Sequence, residues 1–530
     1  MSAPISSRRD QRGMPLSTIV SELGGSAAGV SLEGDDSVRV RDVQQDSRKI
    51  VAGDLFVART GASGAAASAR FTADALGRGA TAILCAEGDP LASPGVPVVR
   101  VPGENLRSAL GIAASTVHGH PSYLVEVLGV TGTNGKTTTT WLLADALDRL
   151  AAARGRAADC AVIGTVGARL GQERRATSHT TPEGDELARL LAWSRDHGAA
   201  HAAIEVSSHA LEQGRLGGTR IRAAAFTNLT QDHLDYHHTM ERYFEAKSRL
   251  FHDLHPGVSV LWIDDPWGNR LAESVRTPKI TVGRAADADV RIRGARFSAS
   301  GIVADLLTPS GPVSLESRLI GDHNLANLAV ALGVLIGLGI PASDAAGALG
   351  AAPPVAGRLE VASDPALDDV TVLVDYAHTP DALARVLQAL RPLTERRLMC
   401  VFGCGGDRDA QKRAPMGTAV AEGADVAIAT SDNPRTEDPA AIVAAIVRGM
   451  STMPRLEADE LAAAARGVHV EVDRGTAIAR AIAGAAPGDV VLLAGKGHED
   501  YQIIGTQKRP FDDVAEARRA LALRRARGRA

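Results

Sequence analysis

The segment Leu128-Gly129-Val130-Thr131-Gly132-Thr133-Asn134-Gly135-Lys136-Thr137-Thr138 constrains the fold more than any other stretch of the chain. An apolar run over residues 123–130 predicts a buried strand, and a helical pattern spans residues 138–150. Between them lies a Gly- and Thr-rich turn. A strand, a glycine turn and a helix in that order gather backbone N–H groups and a helix N-terminus around one point, which is how proteins cradle phosphate. In such a loop Gly132, Thr133, Asn134, Gly135 and Thr138 surround the phosphates of ATP. Lys136 reaches the β- and γ-phosphates, and the Thr137 hydroxyl ligates Mg²⁺. The spacing departs from the standard GxxxxGK[ST], because Val130 stands where the first glycine belongs. A shorter form over residues 132–137 remains. The competing reading is a Gly/Thr turn without a ligand.

At 530 residues the chain exceeds what one core supports, and about three domains are expected. A net charge of −4 makes no electrostatic case for nucleic acid or membrane as partner. Cys85, Cys160, Cys400 and Cys404 lack metal-site spacing and read as reduced thiols of a cytoplasmic protein. No run of about 18 apolar residues predicts a membrane span. Residues 1–13 read as a disordered polar tail without the apolar segment of a secretory signal.

Strand and helix patterns alternate along the rest, which predicts an α/β chain of three domains. Residues 14–120 form a small α/β domain, with strands at 54–58 and 80–84 and a helix near 71–78. Residues 118–122 read as a linker. Residues 121–353 form a doubly wound central domain around the phosphate loop, with strands at 202–206, 223–227 and 259–263. A Gly/Ala/Pro stretch at 346–354 marks the next boundary. Residues 354–530 form a Rossmann-like domain with strands at 370–374, 398–402, 426–430 and 490–494 and a helix at 380–390. The basic stretch 518–530 reads as a solvated helical end.

Open α/β sheets bind ligands at the carboxyl ends of their strands. Glu205 ends one strand, in Glu205-Val206-Ser207-Ser208-His209. Asn228, Asp232, His233 and Asp235 crowd the loop after another. Singly these residue types are caps or turn residues; at two strand ends beside a phosphate loop they read as a site for metal and substrate.

Together these segments resemble the Mur ligases, ATP-dependent amide-bond formers of peptidoglycan synthesis. Further motifs in the same order extend the likeness over nearly the whole chain. They are Tyr243-Phe244-Glu245-Ala246-Lys247, Gly321-Asp322-His323-Asn324-Leu325-Ala326-Asn327, Gly357-Arg358-Leu359-Glu360 and Asp375-Tyr376-Ala377-His378-Thr379-Pro380-Asp381. The resemblance implies that Asn324 contacts adenine, Arg358 the triphosphate and Asp375 the ribose. It implies that Glu205 and His233 hold a second Mg²⁺, and that Lys247 is carbamylated by CO2, which turns a cation into a carboxylate-like ligand. The implied chemistry is attack of a substrate carboxylate on the γ-phosphate, then attack of an amine on the acyl phosphate, with Lys136, Glu205, His233 and Lys247 as catalytic residues.

Other details resemble the tripeptide-forming member of the family. Thr180-Thr181-Pro182, Ser207 and Arg215 match its loop and side chains for the UDP-muramoyl dipeptide, and Asp46-Ser47-Arg48 its uridine segment. An Asp-Gly-His motif expected before Phe71 is absent, as is an Asn expected at Trp262. For the incoming amino acid, Arg408 and Arg435 are each suited to a carboxylate. Asp432 and Asn433 accompany Arg435, and Gly495 and Glu499 follow a strand, with Glu499 placed for a distal ammonium. Two arginines and an acid suit an amino acid with two carboxylates and two amines, and Asp432-Asn433-Pro434-Arg435 resembles the segment of the family's meso-diaminopimelate type, with L-lysine or another diamino acid as the alternative. A folylpolyglutamate synthetase-like ligase and a non-ligase nucleotide hydrolase are more distant readings. A monomer acting on small molecules is expected.

Overall fold

The computed structural model describes residues 13–59, 64–89, 95–298 and 301–528. Three main sheets organise it. The first has five strands. Asp42–Gln44, Asp54–Val57, Ala82–Ala86 and Val98–Val101 run parallel, and Ser31–Glu33 closes the edge antiparallel. The helices Gly64–Gly77 and Leu106–Val117 accompany it. Most of the expected tail lies outside the described residues; just after it, Met14 pairs with Val40 in a short ladder.

The central sheet has 11 strands. It is parallel from Cys160–Gly164 through His201–Glu205, Glu126–Thr131, Ile221–Phe226, Val258–Trp262 and Lys279–Gly283 to Val290–Ser298. Antiparallel strands extend it on both sides, so the doubly wound expectation describes only its middle. The parallel strands are apolar on both faces because helices cover both. Lys136–Ala152, Asp322–Gly337 and Ala342–Gly350 pack on one face; Gly184–Asp196 and Met240–His252 pack on the other. Register decides what meets at the carboxyl ends. Glu205 is level with Val130, and Phe226 with Thr131, so the phosphate loop, Glu205 and residues 227–228 emerge side by side.

The third sheet has six strands, with Thr371–Asp375, Val490–Ala494, Leu398–Phe402, Val426–Ala429 and Gly467–Val470 parallel.

Several sequence expectations are corrected. The strand before the phosphate loop starts at Glu126; Tyr123 and Leu124 are exposed, because a 3-10 turn begins at Pro121 and carries the chain over the surface. The stretch 118–122 is not a free linker. His118 is buried and meets Asp42 at 3.0 Å, and its carbonyl accepts from Arg195 at 2.7 Å. Most of 346–354 is the end of the helix Ala342–Gly350, since alanines favour helix over a break. The basic end is packed rather than solvated. In the helix Asp513–Gly528, Ala517 and Leu521 are buried, and Arg524 and Arg525 pair with Asp369 and Asp368.

Candidate functional site

Gly132 and Gly135 shape the phosphate loop. Both have positive φ, 143° and 86°, and a side chain on either would collide, with Thr227 Oγ1 and with Asn327 Oδ1 respectively. Lys136 opens the helix Lys136–Ala152 and folds back over the loop, donating to the carbonyls of Gly132 and Thr133, each at 2.8 Å. Burial pushes its ammonium below the ordinary lysine value, opposed by Glu205 and Asp232.

Glu205 is the hub beside it. Its Oε2 accepts from Thr137 Oγ1 at 3.0 Å and from Thr165 Oγ1 at 3.1 Å, and its Oε1 accepts from the Thr165 N–H at 2.9 Å. Gly164 lets the carboxylate lie against the neighbouring strand, since a Cβ there would strike Glu205 Oε1. Thr165 went unnoticed in the sequence, although it follows the strand Cys160–Gly164 at its carboxyl end, where such residues are to be sought.

Lys247, on the helix Met240–His252, is 1% exposed. Its Nζ donates to the Gly132 carbonyl at 2.8 Å and lies 4.6 Å from the centre of the Tyr243 ring. Burial, and then the like charge of Lys136, hold its pKa well below the ordinary lysine value. His233, in left-handed conformation at φ 53°, stands edge-on to His209 at 5.0 Å between ring centres.

The C-terminal part of the chain closes over this site. Arg358 Nη2 reaches Thr137 Oγ1 at 3.2 Å, its guanidinium lies 4.5 Å from the Tyr376 ring centre, and its Nε is buried with no hydrogen-bond partner among the described residues. Asp381 Oδ2 accepts from Asn134 Nδ2 and Thr230 Oγ1, both at 3.1 Å, a bridge that the sequence motif contained without revealing. Asp375 is buried, which raises its pKa, and its carboxylate accepts from the N–H groups of Leu359 and Ala377, both at 2.8 Å. Asn324 is buried, donating to the Ile320 carbonyl at 2.8 Å and accepting from Asn327.

One cavity of about 850 Å³ brings together Thr133, Asn134, Gly135, Lys136, Thr137, Thr138, Glu205, His233, Lys247, Asn324, Arg358 and Asp375, with Thr180 and Ser207 at its wall. Among the described residues no three His, Cys, Asp or Glu side chains group as a metal site. The adjacent oxygens of Thr137 and Glu205 still fit Mg²⁺, which commonly takes one or two protein oxygens and completes its shell with phosphate and water.

The remaining expected residues lie elsewhere. Thr181 Oγ1 donates to the Glu205 carbonyl at 2.7 Å and accepts from the Ser207 N–H, tying the 180–182 loop to the strand end. Arg215 is buried, donates to the Thr181 carbonyl at 2.9 Å and pairs with Glu183 at 3.3 Å. Ser47 is buried in the first unit, in the 3-10 turn Ser47–Lys49, and does not line the cavity.

Of the residues expected at the amino acid, Asp432, Asn433, Arg435, Gly495 and Glu499 gather in a second cluster outside the cavity. Arg435, at φ 51°, donates from Nη1 to the Gly406 carbonyl at 2.8 Å. Arg435 sits in a turn closed by the Glu437 N–H on the Pro434 carbonyl at 3.1 Å, but the Glu437 carboxylate pairs with Arg413. Asn433 Nδ2 donates to Glu499 Oε2 at 2.9 Å. Burial, and then Asp432, raise the Glu499 pKa. Gly495, at φ 120°, lies beside Asp432. Arg408 stands apart: it is exposed and donates to the Asp407 carbonyl at 3.3 Å. The sequence missed Lys496, which is fully buried between Asp432 and Glu499 at 3.3 and 3.5 Å.

Residues 130–335 match the family model for the Mur ligase middle domain, and residues 357–497 the Mur ligase, glutamate ligase domain. The UDP-N-acetylmuramoyl-L-alanyl-D-glutamate–2,6-diaminopimelate ligase of Gloeobacter violaceus is 42% identical over 93% of this chain and 96% of its own. The protein of that name from Pseudomonas aeruginosa is 43% identical over 92% and 96%. A solved structure of a ligase of the same name superposes with a TM-score of 0.67 at 33% identity, covering 96% of this chain and 99% of that one. A folylpolyglutamate synthase from Mycobacterium tuberculosis shares the fold over 72% of this chain and 90% of its own, with a TM-score of 0.57 at 19% identity.

Proposed function

The chain belongs to the Mur ligases, and from that premise we infer that it is an ATP-dependent acid–amino-acid ligase joining diaminopimelate to UDP-N-acetylmuramoyl-L-alanyl-D-glutamate in peptidoglycan precursor synthesis. The observation that carries the chemistry is the meeting of Lys136, Thr137, Glu205, Lys247 and Arg358 in one cavity. Thr137, Glu205, His233 and Lys247 are the residues that would hold Mg²⁺, whose charge would offset the negative charge built up during phosphoryl transfer. Lys136 and Arg358 supply positive charge from the chain itself, and Gly132 to Thr138 orient the phosphates. Asn324 and Asp375 hold the base and ribose. Carbamylation of Lys247 is supported by its burial and lowered pKa, because only an uncharged amine attacks CO2. Ser47, Thr180, Thr181, Ser207 and Arg215 hold the UDP-muramoyl dipeptide, and the units 14–120, 121–353 and 354–530 act as domains for that substrate, ATP and the amino acid. The enzyme works as a cytoplasmic monomer; no helix among the described residues is long and apolar enough to cross a membrane.

For the amino acid, the meso isomer fits best, with Arg408, Arg435, Asp432, Asn433, Gly495 and Glu499 around its distal end. Arg435→Ala should raise the KM for diaminopimelate about tenfold or more, the loss of a charged hydrogen bond, and leave that for ATP unchanged. An amino acid screen with the muramoyl dipeptide and ATP tests the whole reading. Phosphate release should require both dipeptide and diaminopimelate; turnover with neither, or ligation of L-lysine in preference, would overturn it.

A further inference from the structure

Beyond the third sheet, the strands Tyr501–Ile504 and Gln507–Pro510 form a two-stranded hairpin whose second strand is exposed at every residue. An isolated hairpin is marginally stable in water, so what it docks against decides its purpose. It docks on residues 432–435. Ile503 N–H donates to Asn433 Oδ1 at 2.9 Å, and Gln502 Nε2 to the Asp432 carbonyl at 2.7 Å. The Arg435 N–H donates to the Ile503 carbonyl at 3.1 Å, and the Gly505 N–H to the Arg435 carbonyl at 2.7 Å. Both backbone polar groups of Arg435 are thus taken by the hairpin.

That docking has an energetic consequence. A non-glycine residue in the left-handed region, as Arg435 is at φ 51°, is strained and persists only where its surroundings over-determine it. The hairpin supplies that constraint at Arg435. Lys496 fastens the same parts from beneath. Its buried Nζ donates to the Tyr501 carbonyl at 2.6 Å and to Asn433 Oδ1 at 3.3 Å, between the Asp432 and Glu499 carboxylates. One ammonium therefore links the start of the hairpin, the segment 432–435 and the acid at 499.

We propose that the hairpin 501–510, pinned by Lys496, is a specificity-determining element that sets the Arg435 guanidinium and the Glu499 carboxylate at the spacing required by the far carboxylate and ammonium of the amino acid substrate. The inference rests on the reading that Arg435 and Glu499 face that amino acid. Lys496 and Ile503 are positioning residues, since they act through Arg435, Asn433 and Glu499.

The test uses Ile503→Pro and Gln502→Ala in the full chain, with KM for meso-diaminopimelate, L-lysine and ATP, kcat, and melting temperature. Ile503 points its N–H toward Asn433 and not across the hairpin, so proline there removes the docking bond while sparing the ladder. Each variant should raise the KM for diaminopimelate about tenfold, the loss of an aligned charged contact. The kcat at saturation and the KM for ATP should stay unchanged, and the KM for L-lysine, which keeps the far ammonium but has no far carboxylate, should rise less than that for diaminopimelate. Unchanged KM for diaminopimelate, in either variant that folds, overturns the proposal, as does a fall in kcat together with a lower melting temperature, which marks a structural role. Gln502→Ala removes only one side-chain bond and keeps the test decisive if Ile503→Pro does not fold. Arg435→Ala separates the two levels: if it raises the KM for diaminopimelate and the hairpin variants do not, the hairpin proposal fails while the assignment of the amino acid site stands. If Arg435→Ala has no effect, the assignment itself fails.

Discussion

Replacing Lys247 with alanine should lower the ligation rate by about 10²–10³-fold or more, read as ADP formed with dipeptide, diaminopimelate and ATP all present. The side chain is buried, lies over Tyr243 and shares the Gly132 carbonyl with Lys136. Two ammonium groups on one oxygen repel, and burial penalises both. The lowered pKa of Lys247 makes its neutral amine available. Once carbamylated it carries a negative charge that Lys136 attracts, so the pair turns from repulsive to favourable. The sign of the pH dependence follows: carbamate needs the neutral amine, so occupancy rises with pH through the lowered pKa and is lost below it. Formate or acetate should restore part of the activity of Lys247→Ala, because a small carboxylate can take the place left by the side chain. Full activity without added carboxylate would refute the carbamate role. A variant that loses activity and shows no rescue, with an intact melting temperature, would leave Lys247 essential as an amine.

The phosphate loop was legible because everything that makes it is contiguous: strand, glycines, Lys136 and helix follow within a dozen or so residues. Glu205 was legible because it ends a strand, and strand ends are where α/β sheets work. The strands Val290–Ser298, Gly301–Thr308 and Gly311–Ser317 are absent from the sequence reading, although alternation in Val290-Arg291-Ile292-Arg293 and Val313-Ser314-Leu315-Glu316 and the Thr308-Pro309-Ser310-Gly311 turn carry the signal. The burial of the last helix was likewise encoded, by apolar residues at 514, 517 and 521 on one face, and was masked by the arginines between them. Lys496 and Asp381 are a different case. Asp381 ends one of the motifs above and Lys496 lies between Gly495 and Glu499, but their partners are far along the chain, at Asp432 and Asn433 on one side and at Asn134 and Thr230 on the other. Sequence shows residue types at a distance of a few positions; which cation meets which carboxylate across two sheets is decided by the packing of domains.

Arg358→Ala should lower kcat by about 10²–10³-fold, the cost of removing one preorganised group that stabilises developing charge. Arg358 comes from the third unit yet reaches Thr137 in the phosphate loop, with a buried Nε that has no partner among the described residues. A buried guanidinium N–H without a partner is costly, and a phosphate oxygen is the partner that would satisfy it. The Tyr376 ring beneath the guanidinium holds its plane, so the charge is aimed and not merely nearby. Arg358→Lys keeps the charge but loses the planar fork and the stacking, and should recover only part of the rate. The same contact ties the third unit to the loop, as Asp381 does through Asn134 and Thr230. Asp381→Ala should then reduce kcat less than Arg358→Ala, since it removes a latch and leaves the charge. Equal losses in the two variants would mean that Arg358 acts by holding the units together, and an unchanged kcat in Arg358→Ala would remove it from the phosphate site.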